Sequence, residues 1–275
     1  MTKSTLLKVY TWVAKLPFFC DNRYMSERDL NYNNFVRNLL ESNIAKKYLK
    51  TRSLSSKLIK DELLGYCSPH SRYSFPLLKG RLIVPIRDVD GNTIALAGRQ
   101  IPEVEETTIQ SFWDNYGFEP AKCEDRINKW KRGKWINEPY QKTRNLFFLD
   151  KAKSEALRRN YLLLVEGYFD VYSFYDNGYQ NTCALCGTSI SEYQIALAAR
   201  YCDNIVLVMD SDDAGMIASE KIISKVKESS MNVKRILLPS GMDPDDFAKE
   251  YDISFLDESI KNLLGSKQQD LTVRI

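Results

Sequence analysis

Long apolar runs are missing from this chain of 275 residues. None approaches the ~20 consecutive apolar residues that a membrane helix needs, so no membrane partner is expected. The stretch from Leu6 to Val13 comes nearest to a secretory leader. Lys8 and Lys15 interrupt it and no small-residue cleavage site follows, which makes a buried or interfacial helix the better reading. Internal repeats and low-complexity segments are also lacking. Six cysteines are too few for a disulfide scaffold in a chain of this length. Cys183 with Cys186, and Cys67 with His70, form single half-sites. A structural zinc site needs two that meet, and these are far apart and differently flanked, so no zinc is expected. Reduced thiols in a cytoplasm are the default. His70 is the single histidine and is assigned no role.

The charge is nearly balanced overall, at +3, but unevenly placed. Residues 1–150 hold 25 Lys and Arg against 17 Asp and Glu, whereas residues 151–275 hold 14 against 19. A basic first half suits a polyanion and an acidic second half suits cations, although scattered surface charge is the plain alternative.

The spacing predicts helices over 26–65, with Phe35, Leu39, Leu40, Ile44 and Tyr48 on one face and a second helix from Ser55 to Leu64. Gly65, Pro69 and Pro76 then break the chain. Arg81 to Ile86 and Thr93 to Ala97 read as a hairpin about Asp90-Gly91. Residues 102–133 have no clear period and read as an irregular or helical insertion, and 151–160 as a helix. From Tyr161 onward apolar runs alternate with helical patterns. Strands are predicted at Leu162–Val165, Thr182–Leu185, Ile205–Met209 and Val233–Leu238, with helices at 169–177, 191–201 and 215–229. That alternation predicts a mixed α/β fold with a parallel sheet flanked by helices. The expected division is a basic α+β subdomain over 1–155, a metal-binding domain over 156–252, and a helical tail over 253–275.

Ligands of open α/β sheets bind beyond the carboxyl ends of the strands. Glu166 follows the first predicted strand, Asp210 and Asp212 the third, and Asp243 and Asp245 the fourth. Carboxylates brought together this way repel unless cations lie among them. Hard oxygen ligands suit Mg²⁺ or Mn²⁺, two ions or more. The plain alternative is a set of strand-end caps and solvated turn residues. Gly167 is expected to permit a sharp turn, Gly215 a helix starting close to the acidic loop, and Gly187-Thr188-Ser189 a helix N-terminus able to accept phosphate.

Residues 161–252 resemble a TOPRIM domain. Val165-Glu166-Gly167-Tyr168-Phe169-Asp170-Val171 is similar to the primase motif E-G-Y-x-D-V. Leu185-Cys186-Gly187-Thr188-Ser189 resembles L-G-T-S with one substitution. Asp210-Ser211-Asp212-Asp213-Ala214-Gly215 resembles D-G-D-x-A-G, and Leu238 to Asp246 resembles L-P-x-G-x-D-P-D. Upstream, Tyr48-Leu49-Lys50-Thr51-Arg52-Ser53-Leu54-Ser55 is similar to Y-L-x-x-R-G-L-S of bacterial primases. Gly80 to Asp88 with Ala97-Gly98-Arg99 resembles G-R-x-x-F-P-I-R-D…G-G-R. Lys134 to Pro139 resembles K-Y-x-N-S-P, and Lys142-Thr143-Arg144-Asn145-Leu146 resembles K-G-R-x-L. Over about residues 45–250 the chain thus resembles the DnaG-type primase family. It departs in a longer segment between Arg99 and Lys134 and a shorter loop between Asn137 and Lys142. The zinc ribbon and helicase-binding domain that flank the family's core have no counterpart in the sequence.

The resemblance implies synthesis of short RNA primers on single-stranded DNA from ribonucleoside triphosphates. Glu166, Asp210 and Asp212 would be catalytic, and would hold the ions together with Asp243 and Asp245. Asp170, one helical turn beyond Glu166, would support those carboxylates, or is simply a helix-start charge. Template or nucleotide contacts would come from Arg52, Arg81, Arg87, Arg99, Lys134, Asn137, Lys142 and Arg144, with Trp135 offering a stacking face. A replicative helicase and a zinc-binding module supplied by another chain are further candidate partners. Two rival readings are a metal-dependent TOPRIM nuclease and a non-catalytic nucleic-acid-binding subunit of a replication assembly.

Overall fold

The computed structural model describes residues 27–187, 189–267 and 269–272. The leader-like stretch from Leu6 to Val13 therefore lies outside the described residues, as does Thr188. Among the described residues no helix is long and apolar enough to cross a membrane.

The first half begins with α1 (Glu27–Glu41), α2 (Asn43–Thr51) and α3 (Ser56–Asp61). The helical reading of 26–65 is broken twice. Ser42 caps α2 by accepting from Ala45 N at 3.2 Å, and Ser55 caps α3 by accepting from Leu58 N at 3.0 Å. Each short hydroxyl satisfies a backbone amide that has no partner within its helix. Four antiparallel strands follow in the order β1 (Gly65–Cys67), β2 (Arg81–Arg87), β3 (Thr93–Gln100) and β4 (Trp135–Asn137). The β2–β3 turn is built by Asp88, whose Oδ1 accepts from Asp90 N and Asn92 N, with Gly91 at φ 91°. The insertion between β3 and β4 is two helices, α4 (Glu105–Tyr116) and α5 (Pro120–Lys131). Their anchor is Trp130, fully buried, whose Nε1 donates to Lys79 O at 2.8 Å.

The second half runs α6 (Leu149–Arg159), β5 (Tyr161–Val165), α7 (Tyr168–Asp176), β6 (Thr182–Ala184), α8 (Glu192–Ala198), β7 (Asn204–Val208), α9 (Asp213–Lys227), β8 (Asn232–Leu237), α10 (Pro244–Glu250), α11 (Leu256–Gly265) and β9 (Asp270–Thr272). Its five strands are parallel, in the order β6-β5-β7-β8-β9. Both sheet faces are covered, which is why β5 reads as an unbroken apolar run. Leu162 and Leu164 pack with Ala152, Ile195 and Ile222 on one face. Leu163 and Val165 pack with Val171, Phe247 and Ile260 on the other. The segment 253–275, read as a helical tail, contains α11 and then returns to the sheet as β9, with Ile236 opposite Leu271.

The two halves share one apolar core, in which Leu82 and Val84 of the antiparallel sheet join Val165 and Val206 of the parallel one. Phe147 pairs with Ala184 through both backbone bonds, at 2.9 and 3.1 Å. Ser55 donates from N and Oγ to the Asp176 carboxylate at 2.7 and 2.6 Å, tying α3 to the end of α7.

Candidate active site

Glu166 leaves β5 directly, and Asp210 follows β7 after Met209. Asp212 caps α9, accepting from Gly215 N at 2.7 Å, and Asp243 caps α10, accepting from Asp246 N at 2.7 Å. All four stand at the carboxyl edge of the parallel sheet, the edge where such sheets bind ligands. Gly215 is required there, because a Cβ would lie 2.2 Å from Asp210 O. Gly167 is not, since its φ of −129° is open to any residue. The expected phosphate-accepting helix start at 187–189 includes Thr188, which lies outside the described residues; among those described, no helix opens at Gly187 or Ser189. α8 begins at Glu192, capped by Ser191 in a reciprocal pair with Gln194.

Among the described residues no Lys or Arg pairs with Glu166, Asp210, Asp212 or Asp243. Burial, then Glu166, Asp243 and Asp212, push the Asp210 carboxyl up to about 7. Glu166 is also raised, by burial first and then by Asp212 and Asp243, partly offset by the Asp210 backbone amide. Asp170 accepts from Gly167 N at 2.8 Å and is pushed up to about 8 by burial, with Asp210, Asp245 and Asp243 adding to the rise. The arrangement is looser than five converging ligands. Among the described residues no three His, Cys, Asp or Glu side chains stand close enough to hold one ion. The donor chemistry nevertheless fits divalent cations: hard oxygens, mutually repelling and unpaired.

Asp245 differs from the other four. It is 5% exposed, accepts from Ser173 Oγ, pairs with Lys249 Nζ, and lies 3.9 Å from Arg52 Nη1. Its charge is already met by cations of the protein itself.

The basic residues separate into two groups. Arg81 is fully buried and donates to carbonyls of Leu77, Gly98, Trp130, Gly133 and Lys134. Arg87 is 2.5 Å from Glu62 Oε2, in a pair whose side chains are 11% and 4% exposed. Both guanidinium groups, expected as template contacts, are taken up by groups of the protein itself, and their side chains hold the antiparallel sheet to its surroundings. Lys134, Lys142 and Arg144 are exposed, Arg144 lying over the Tyr193 ring at 4.7 Å. Arg52 and Arg99 meet at Tyr48, beside Trp135 and Phe169. Trp135 is half-buried, its ring 4.5 Å from that of Tyr168 and 5.3 Å from that of Phe169. Asn137 Oδ1 is buried with no hydrogen-bond partner. Tyr48, Phe169 and Lys249 were given no role at the site from the sequence. For Tyr48 the available signal was its place at the head of the Y-L-x-x-R element.

Residues 163–248 match the Toprim-like family model. The DNA primase of Aquifex aeolicus is 28% identical over 263 residues, covering 84% of this chain and 47% of that protein. The DNA primase of Thermotoga maritima is 25% identical, covering 87% of this chain and 43% of that protein. The chain thus spans less than half the length of these relatives. Among solved structures, the Aquifex aeolicus primase zinc-binding and RNA polymerase domains align with a TM-score of 0.68 at 25% identity, over 88% of this chain and 63% of that one. A DnaG primase catalytic domain bound to single-stranded DNA aligns with a TM-score of 0.64 at 22% identity, over 85% of this chain and 76% of that one. The fold and the acidic sheet edge define a TOPRIM-containing α/β protein. By sequence and fold together, the chain is similar to DnaG-type primases.

Proposed function

We propose that the chain is the catalytic core of a DNA primase, joining ribonucleotides into a short RNA primer on single-stranded DNA. The observation that carries this reading is the juxtaposition at one junction of four carboxylates, without cationic partners among the described residues, and the Arg52–Arg99 pair. A nucleotidyl transferase needs both: a place for cations and a place for phosphates. Glu166, Asp210, Asp212 and Asp243 would hold two divalent ions, Mg²⁺ or Mn²⁺. Bound there, such ions lower the pKa of an attacking 3′-hydroxyl and neutralise the leaving pyrophosphate. We place Asp245 outside this set, because Ser173, Lys249 and Arg52 already engage its oxygens. Asp170 orients the start of α7, and through it Glu166, by its bond to the Gly167 amide. Arg52, Arg99, Lys134, Lys142 and Arg144 would meet phosphates, and Trp135 would border the strand. The activity would place the protein in the cytoplasm of a bacterial cell or a phage-infected host. A replicative helicase and a separate zinc-binding module would be its partners.

The test is primer synthesis with ribonucleotides, Mg²⁺ or Mn²⁺ and a single-stranded template, with and without those partners. Glu166→Gln should lower the rate about a hundredfold or more, the scale of lost metal assistance. Full activity in that variant would overturn the assignment. Metal-dependent degradation of DNA without nucleotides would instead favour a nuclease.

A further inference from the structure

Two guanidinium groups from distant parts of the chain converge on one phenol. Tyr48, near the end of α2, is buried. Its hydroxyl accepts from Arg52 Nε at 3.3 Å and Nη2 at 3.1 Å, and from Arg99 Nε, on β3, at 3.0 Å. The same guanidinium groups lie over the Phe169 ring at 4.9 and 5.7 Å, and Arg99 also lies over Trp135 at 5.6 Å. Cations held this close repel each other, and the common remedy is a carboxylate between them. Here the shared acceptor is neutral. It fixes both forks without cancelling either charge. The carboxylate at hand, Asp245, is 3.9 Å from Arg52 Nη1 and is already paired with Lys249. Among the described residues no carboxylate pairs with Arg99. The aromatic faces of Phe169 and Trp135 add attraction without neutralisation. Among the described residues, one carboxylate, that of Asp245, is set against Lys249, Arg52 and Arg99, so net positive charge remains in a preset geometry. Phe169 sits on α7, whose first turn follows Glu166, so the pair is braced on the helix that adjoins the acidic edge.

We infer that Tyr48 is a positioning residue, whose hydroxyl sets Arg52 and Arg99 as a two-guanidinium seat for a phosphate group beside the carboxylate edge. Planar forks suit phosphate oxygens better than point charges do. The phosphate belongs either to the nucleic-acid backbone or to a nucleoside triphosphate. This inference rests on the proposed primase reading and extends it to a residue that touches no substrate.

The experiment compares the wild type with Tyr48→Phe, which keeps the ring and removes the acceptor. It reads three quantities: affinity for a single-stranded oligonucleotide, KM and kcat for ribonucleotides in primer synthesis, and the thermal midpoint. One arm should weaken about fivefold to tenfold, as loss of a charge-assisted hydrogen bond does. That arm identifies the source of the phosphate, and kcat should change less than the weakened constant. Arg99→Lys keeps the charge and loses the fork, and should weaken the same arm. It decides the matter if Tyr48→Phe lowers the midpoint. Affinity and KM within twofold of wild type in both variants would overturn the inference while leaving the primase reading intact. A wild type that binds neither ligand would overturn both.

Discussion

Arg81 lies against Trp130, its Nη2 donating to the Trp130 carbonyl at 2.5 Å and its guanidinium 5.1 Å from the indole centroid. This contact joins β2 to the end of α5, and the other donors of Arg81 reach Leu77, Gly98, Gly133 and Lys134. A sequence motif that looks like a phosphate contact is thus a bracket for backbone carbonyls. Burial, together with the nearby Arg99, lowers the Arg81 pKa to about 10, so the group remains charged at neutral pH.

Arg81→Ala would leave several buried carbonyls without donors. The expected loss is about 3 kcal/mol or more, from unmet polar groups and a cavity. Arg81→Lys should recover little, since one ammonium cannot span the carbonyls that the fork reaches. Urea unfolding checks both. A midpoint within error of wild type in Arg81→Ala would return this residue to the list of template contacts.

Arg87 and Glu62 make a second structural pair. Removing Arg87 leaves a carboxylate whose side chain is 4% exposed, with Lys151, 3.7 Å away, as its one remaining cationic neighbour among the described residues. Tyr32 Oη donates to the backbone carbonyls of Glu62 and Leu63, so the loss would spread into α1. Arg87→Ala should cost about 3–5 kcal/mol, the range for stranding a buried charge. Double replacement, Arg87→Met with Glu62→Leu, should cost much less. Equal losses in the single and double variants would show that packing matters here and charge does not.

How far the sequence foretold this molecule depends on the range of the forces involved. The β5 and β7 runs announce themselves because both sheet faces are covered, and no local alternative competes. The Asp88–Gly91 turn and the Ser55 cap are equally local. By contrast β9 is three residues long, and its pairing with Arg235–Leu237 is set by tertiary contact. The fates of Arg81, Arg87, Arg52 and Arg99 could not be told apart either. All four sit in similar motif-like surroundings, and only their partners divide them: Arg81 and Arg87 spend their donors on carbonyls and a buried carboxylate, Arg52 and Arg99 on one phenol. The acidic positions were legible because strand ends are legible. The ties of Asp245 were not, because Ser173 and Arg52 come from other elements.

Gly215 offers a test of how tightly the acidic edge is built. A methyl group there would meet Asp210 O at 2.2 Å and Asp210 C at 2.9 Å, both backbone atoms that yield only by moving the loop. Gly215→Ala should cost about 1–3 kcal/mol through overpacking. It should also depress primer synthesis more than stability alone explains, because Asp210 shifts with its carbonyl. An alanine variant with wild-type activity and midpoint would mean that the loop is far more pliant than its packing indicates.

The carboxylates themselves give the sharpest forecast, because the sign of their effect is opposite to that of most acidic groups. Asp210 rises from 3.8 to about 7 on folding and Asp170 from 3.8 to about 8. Between those values the folded protein holds protons that the unfolded chain has released. Stability therefore falls as pH rises through this window, and is greatest toward its acid end. Without divalent ions, the thermal midpoint should drop by about 5 °C between pH 5.5 and 8. Mn²⁺ should reverse the drop at pH 8 and do little at pH 5.5, where protons already neutralise part of the site. Asp210→Asn removes one titrating charge from the cluster. It should raise the metal-free midpoint at pH 8, weaken the rescue by Mn²⁺, and abolish primer synthesis. A midpoint that climbs with pH in the absence of metal, or an Asn variant less stable than wild type at pH 8, would show that these acids are not strained against one another and have no need of cations.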